Sequence, residues 1–298
     1  MSTQAPPSSA YVCRYCRLPS DSSAPSCPNC GAPVDVTVER SDSGWLELPA
    51  IKDMARIQMG RSSAQIEGIY VPVADFGLHP EDSIYFSHHV LLWAEPSVRM
   101  DSMPMSGGWN RKLAGLPLVM MRAAGPGHVA LSADAPGEVV AIPLPAGGEV
   151  IVREHAFLAA TASIDYTWNQ SGIWYVTSSG DDRETHYPLG WAVDRFWAKE
   201  PGLLLLHSPG NTFIRELAPG EPICVQPGAL LYKDPSVGMQ LHLEYPATAG
   251  VSFSRRYSMR NVWLRLWGPG RVAIKSVFHK GETGGYISNS SPATVQRW

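Results

Sequence analysis

Apolar and polar residues alternate over short stretches that stop at glycine or proline, the signature of strands joined by turns. Met54-Ala55-Arg56-Ile57-Gln58-Met59 alternates until Gly60, and Gln65-Ile66-Glu67-Gly68-Ile69-Tyr70-Val71 resumes after it. Val262-Trp263-Leu264-Arg265-Leu266-Trp267 alternates in the same way, and Val272 to Phe278 forms a last strand. Leu116 to Met121 and Leu203 to Leu206 are continuous apolar runs that fit buried strands. Ser171 to Asp194 is the least regular part, with Gly180-Asp181-Asp182-Arg183-Glu184 as a loop tip.

One pattern is written three times. Ile84 to Met100 aligns without a gap over Ile223 to Met239, so that Ile84, Leu91-Leu92, Pro96-Ser97-Val98 and Met100 fall on Ile223, Leu230-Leu231, Pro235-Ser236-Val237 and Met239. A weaker copy lies between them: Val152 falls on Phe86, Ala156-Phe157-Leu158 on Val90-Leu91-Leu92, and Ser163-Ile164 on Ser97-Val98. Self-similarity at this spacing marks one block of strands and turns used repeatedly. Gly125-Pro126-Gly127-His128-Val129-Ala130 and Gly268-Pro269-Gly270-Arg271-Val272-Ala273 formally match a dinucleotide-binding fingerprint. That fingerprint needs a helix after the turn, whereas here period two continues, so both are strand-joining turns. Ser208-Pro209-Gly210-Asn211 reads as a third relative of them.

Composition narrows the picture. Among 298 residues, 27 Gly and 26 Pro interrupt the chain too often for long helices. A net charge of -3 provides no global field toward nucleic acid or an anionic membrane. With no apolar run of about 18 residues and no leader-like N-terminus, the expectation is a soluble cytoplasmic protein without membrane insertion. The expected organisation is a disordered lead over 1–10, a zinc ribbon over 11–34, a linker over 35–50, a β domain with three internal repeats over 51–280, and a loose tail over 281–298.

The clearest chemistry is N-terminal. Cys13-Arg14-Tyr15-Cys16 and Cys27-Pro28-Asn29-Cys30 are two C-x-x-C knuckles. Two residues between thiolates turn both sulfurs toward one ion, and four sulfurs close a tetrahedral site with no position for water. Cys13, Cys16, Cys27 and Cys30 are therefore expected to hold a structural Zn2+, and metal binding would be the folding energy of so small a unit. The alternative is two disulfides, which a cytoplasmic chain disfavours. Cys224 replaces Tyr85 in the repeat and reads as an inert thiol in an apolar strand.

His88-His89 invites a metal-site reading, but it falls on Glu154-His155 and on Pro227-Gly228, a turn that accepts very different residues. No nucleophile elbow, phosphate loop or H-E-x-x-H motif is present, so no enzyme activity is expected. The electrostatic anomaly is C-terminal: no acidic residue stands between Glu244 and Glu282, while seven Lys or Arg do. If Val262, Leu264 and Leu266 face the core, Trp263, Arg265 and Trp267 share the opposite face. Such a face suits a subunit interface, in which Trp and Arg are enriched, or base stacking and phosphate pairing, or a solvated strand.

The Gly-Pro-Gly-x-Val-Ala strand starts, Gly148-Glu149-Val150-Ile151-Val152, and the run from Ala229 to Val237 together resemble the altered-inheritance-of-mitochondria family of β proteins, over about residues 51–280. The resemblance implies an all-β fold of repeated β-sandwich units like those of the trp RNA-binding attenuation protein, which assemble as trimers or rings. The zinc ribbon lies outside the family pattern. The expected function is a non-enzymatic, homo-oligomeric scaffold whose ribbon docks a protein partner. The alternatives are RNA or single-stranded nucleic-acid binding through Trp263, Arg265 and Trp267, and small-molecule sensing in a pocket between repeats.

Overall fold

The computed structural model describes residues 10–13, 18–21, 27–29, 41–48, 50–103, 120–179, 182–245, 256–257, 262–278, 285–287 and 294–297. The described chain is all-β, and its only helical elements are the 3-10 turns His88–Val90 and Pro227–Ala229. It divides into two compact units, one of residues 1–148, 157–165 and 197–212, the other of 149–156, 166–196 and 213–298.

Beside the short pair Ala10–Val12 and Pro19–Asp21, the first unit holds two larger antiparallel sheets among the described residues. One runs in the order Ala55–Met59, Ser62–Glu67, Val73–Leu78, Gly127–Ser132, Leu91–Ala94, and the other in the order Glu138–Leu144, Gly202–Ser208, Phe157–Thr161, Ser83–Ser87, Met120–Ala124, Arg99–Ser102. Alternation turns Ala64 and Ile66 inward from Ser62–Glu67 and leaves Gln65 and Glu67 half-exposed. Ile57, Phe76, Val129 and Leu131 of the first sheet form one apolar cluster with Phe86, Val139, Leu158 and Leu205 of the second. Each such side chain contributes about 1.5–3 kcal/mol when fully buried. The arrangement is a β-sandwich.

In the second unit a sheet runs in the order Ile164–Gln170, Ala192–Ala198, Glu149–Arg153, Leu230–Lys233, Gly270–Lys275, Thr212–Leu217. Another places Pro222–Val225, Val262–Trp267 and Gly238–Tyr245 side by side, with Thr294–Arg297 parallel to the last. The stretch from Ser171 to Asp194, expected to be irregular, contains a hairpin of Tyr175–Ser179 and Asp182–His186. Its polar composition hides the strands, and the Tyr175 ring stacks on His186 at 4.9 Å.

Three segments of the chain share one pairing scheme. Leu91, Trp93 and Ala94 stand opposite Leu131, Ala130 and Val129. Phe157, Ala159 and Ala160 stand opposite Leu206, Leu205 and Leu204. Leu230, Tyr232 and Lys233 stand opposite Ile274, Ala273 and Val272. Each pair carries a bulge at the same place, with Leu92, Leu158 or Leu231 as the extra residue. A bulge re-aims one side chain and tightens the twist, which gives the recurring Leu-Leu and Phe-Leu pairs a structural reason.

The turn that launches the third strand of each scheme is also held alike. The backbone N–H of His128 donates to the Glu95 carboxylate at 2.9 Å, that of Arg271 to Asp234 at 2.9 Å, and that of Leu203 to the Thr161 hydroxyl at 3.0 Å. A Cβ on Gly127, Gly202 or Gly270 would meet the hydroxyl of Ser97, Ser163 or Ser236 at 2.4, 2.5 and 2.6 Å. The counterpart of the two Gly-Pro-Gly turns is therefore Glu200-Pro201-Gly202, not Ser208-Pro209-Gly210-Asn211 as the sequence suggested. Glu200 replaces the first glycine and obscures the match, while Pro209-Gly210 lies at the far end of the strand so launched and leads into Thr212–Leu217.

Candidate functional site: the junctions between copies

Successive copies complete each other's sheets. In the first unit, Ala159, Ala160 and Thr161 of the middle copy pair with Phe86, Tyr85 and Ile84 of the first. In the second unit, Tyr232 and Lys233 of the last copy pair with Val152 and Ile151 of the middle one. The two registers superimpose under the sequence alignment of the copies. The post-turn strand of one copy thus always lies beside the pre-turn strand of the copy before it.

The scheme leaves two strands short of a neighbour. Leu91–Ala94 ends its sheet, with Gly127–Ser132 on one side and no further strand among the described residues. Pro222–Val225 ends its own, with Val262–Trp267 beside it. The consequence shows in burial: Leu92 and Trp93 are 56% and 45% exposed, whereas their counterparts Leu158, Ala159, Leu231 and Tyr232 are at most 3% exposed.

Where the first and middle copies meet, a cavity of about 390 Å³ is lined by Ile84, Tyr85, Asp101, Arg122, Ile164 and Asp165. The Arg122 guanidinium donates to the Ser83 hydroxyl through Nε at 3.1 Å and Nη2 at 2.9 Å. Asp165 pairs with the Lys199 ammonium at 2.6 Å. Alignment alone would have found Arg122, since it and Arg265 both stand three residues before a Gly-Pro-Gly turn. Nothing in the first copy marks the middle copy's Asp165, because Arg99 stands at its place there.

The alternation of Val262–Trp267 is as expected: Val262, Leu264 and Leu266 are buried, and Trp263, Arg265 and Trp267 lie on the other face. Arg265 stands between Cys224 and Gln240 of the flanking strands. Trp267 lies against Gly238, where a Cβ would collide with its indole ring. Burial pushes the Cys224 thiol up from its ordinary value, and Arg265 partly offsets this. Nearby, Arg271 pairs with Asp234 at 3.3 Å, which neutralises part of the C-terminal basic run.

Of the four knuckle cysteines, Cys13 and Cys27 are described and both are 1% exposed, while Cys16 and Cys30 lie outside the described residues. Cys13 follows the strand Ala10–Val12, which pairs with Pro19–Asp21. Its N–H donates to Leu18 O at 2.9 Å, closing the knuckle loop. The Asn29 amide donates to Pro19 O at 3.2 Å and holds the second knuckle against that hairpin. Both thiols are withdrawn from solvent, as sulfurs of a closed structural metal site are. His88 and His89 fall in the 3-10 turn His88–Val90, and no group of three or more metal-ligating side chains occurs among the described residues.

Fold and junctions together define an all-β protein in which two of the described sheets place strands of similar segments side by side. Residues 64–277 match the family described as "Mitochondrial biogenesis AIM24", and the chain belongs to that family. Among solved structures, it is similar to the crystal structure of protein SPYM3_0169 from Streptococcus pyogenes, with a TM-score of 0.53 and 18% identity over 73% of this chain and 94% of that one. That likeness concerns the fold. No curated protein sequence matches the chain. No helix among the described residues is long and apolar enough to cross a membrane.

Proposed function

We propose that this chain is a non-enzymatic, self-associating β scaffold of the kind built from trp RNA-binding attenuation protein-like units, with its N-terminal knuckles forming a zinc ribbon that docks a protein partner. The observation that carries the reading is the pair of unfinished sheets at the two ends of the repeat array. An unpaired strand edge is a template for another chain, and stable monomers cover or blunt it. Here Leu92 and Trp93 are bare on a strand whose equivalents are buried.

Cys13, Cys16, Cys27 and Cys30 would hold the zinc, which supplies cross-linking and no open coordination position. The burial of Cys13 and Cys27 supports this, since a closed four-sulfur site keeps its ligands away from water. Native mass spectrometry of the full chain, with and without a chelator, tests both halves. The expected result is a defined oligomer with about one zinc per chain; a monomer at micromolar concentration, or a chain that binds no zinc, would remove the corresponding half.

The cavity bounded by Arg122, Asp101 and Asp165 favours a second reading, small-molecule sensing between copies, because convergent charged groups in a partly apolar pocket are what ligand sites share. Thermal-shift screening of wild type against Arg122→Ala distinguishes it. Stabilisation by a small carboxylate that vanishes in the variant would support it.

A further inference from the structure

We infer that the exposed strand Leu91–Ala94 of one chain pairs antiparallel with the exposed strand Pro222–Val225 of a second copy, with Trp93 opposite Val225, Ala94 opposite Cys224, and Glu95 opposite Ile223. This deepens the scaffold reading and rests on it. The register follows from the two junctions the chain makes internally. Ala159 lies opposite Phe86 and Tyr232 opposite Val152; in the copy alignment Ala159 and Tyr232 occupy the place of Trp93, and Phe86 and Val152 the place of Val225. Ala160 opposite Tyr85 and Lys233 opposite Ile151 likewise specify Ala94 opposite Cys224. The post-turn strand of the first copy and the pre-turn strand of the last are the two members of this pairing left at sheet edges.

Chemistry at the predicted junction is compatible. Trp93, Ala94, Ile223, Cys224 and Val225 are apolar, and the Glu95 carboxylate is occupied by the backbone N–H of His128. The pre-turn strand already carries its other neighbour in the expected manner: Ile223 and Cys224 stand opposite Leu266 and Arg265, as Ile84 and Tyr85 stand opposite Ala123 and Arg122. Because the donor and acceptor edges differ, the contact is head-to-tail. It repeats from chain to chain and closes into a ring when the rotation per chain permits.

Cys224 supplies the probe. Facing residues on antiparallel strands have Cα atoms about 4.5–5.5 Å apart, within the range a disulfide spans. In an Ala94→Cys variant the new thiol should therefore oxidise with Cys224 of the neighbouring chain. Mild oxidation in alkaline buffer, followed by non-reducing electrophoresis and native mass spectrometry, reads the result. The expected outcome is a ladder of covalently linked chains, lost when Cys224→Ser is added and lost on reduction. A linkage confined to a single chain would overturn the inference, since the same chain would then fill its own edge. No linkage in a protein that native mass spectrometry still finds oligomeric would also overturn it, leaving the scaffold reading intact with another contact face. A monomer without linkage would overturn both. Trp93→Cys with Val225→Cys in a Cys224→Ser background reports the adjacent facing pair and guards against one badly tolerated substitution.

Discussion

Gly270 and Gly220 both adopt positive φ, 130° and 75°, yet their surroundings differ. A Cβ on Gly270 would lie 2.6 Å from the Ser236 hydroxyl and 3.1 Å from Val237 Cγ2, whereas nothing lies within 4 Å of one on Gly220. Gly270→Ala should therefore cost about 2–4 kcal/mol, backbone strain and overpacking together, and Gly220→Ala about 1 kcal/mol from strain alone. Urea unfolding of the two variants checks the difference. Lys275 provides a pH test in the same region. Burial is the main cause that lowers its pKa from 10.5 to about 8, and the Arg153 charge adds to it. Arg153 is itself fixed by a 2.7 Å hydrogen bond to Pro227 O. Between pH 8 and 10.5 the unfolded chain binds more protons at this site than the folded one, so stability rises with pH across that window. Below it the cost is present in full, about 1–2 kcal/mol once partial solvent access is discounted. Lys275→Met should be more stable than wild type at pH 7 and should lose that rise, as read by thermal melts from pH 7 to 10.

Strands were the most legible element in the sequence, because period two survives wherever one face is buried. Val262–Trp267 and Ser62–Glu67 alternate in burial as their residues alternate in polarity. The hairpin of Tyr175–Ser179 and Asp182–His186 was not legible, since its run of Ser, Thr, Asp and Glu shows no apolar alternation. The third launching turn was missed for a similar reason: Gly202 and Thr161 do the work of Gly127 and Glu95 with different chemistry. Strand pairing between copies was beyond the sequence altogether, because residues such as Tyr85 and Ala160 are joined by topology. At the proposed junction one substitution stands out. Arg99 occupies the position of Asp165 in the middle copy, and Arg265 that of Arg122, so head-to-tail pairing brings two cations where the internal junction has one of each sign. Arg99→Asp should tighten self-association and reverse its salt response, because like charges across an interface oppose docking. Sedimentation at low and high salt checks this; no change in either would argue that Arg99 lies away from the contact.

For the whole molecule, the candidate site was legible in part. The copies could be aligned and the Trp263, Arg265 and Trp267 face located from residue types alone, and Cys13 and Cys27 were marked by spacing. What residue types could not reveal is that strands of neighbouring copies pair, for alignment registers similarity and not adjacency. That pairing covers Phe157–Thr161 and Leu230–Lys233 with a strand of a neighbouring copy and leaves Leu91–Ala94 and Pro222–Val225 at sheet edges. The cavity near Arg122 lies at the same junction, since Ala162, Ile164 and Asp165 come from the middle copy and the other lining residues from the first. Membership in the mitochondrial biogenesis family and the fold likeness to a streptococcal protein agree with an all-β architecture.

The most direct test of head-to-tail pairing is amide hydrogen exchange at two protein concentrations, since it reads every strand edge at once. Exchange at an edge slows when a neighbouring strand captures its N–H groups. Leu91–Ala94 and Pro222–Val225 should become protected together as concentration rises, while Phe157–Thr161 and Leu230–Lys233, already paired on both sides, should not change. Exchange at both terminal strands that is fast and independent of concentration would contradict head-to-tail pairing.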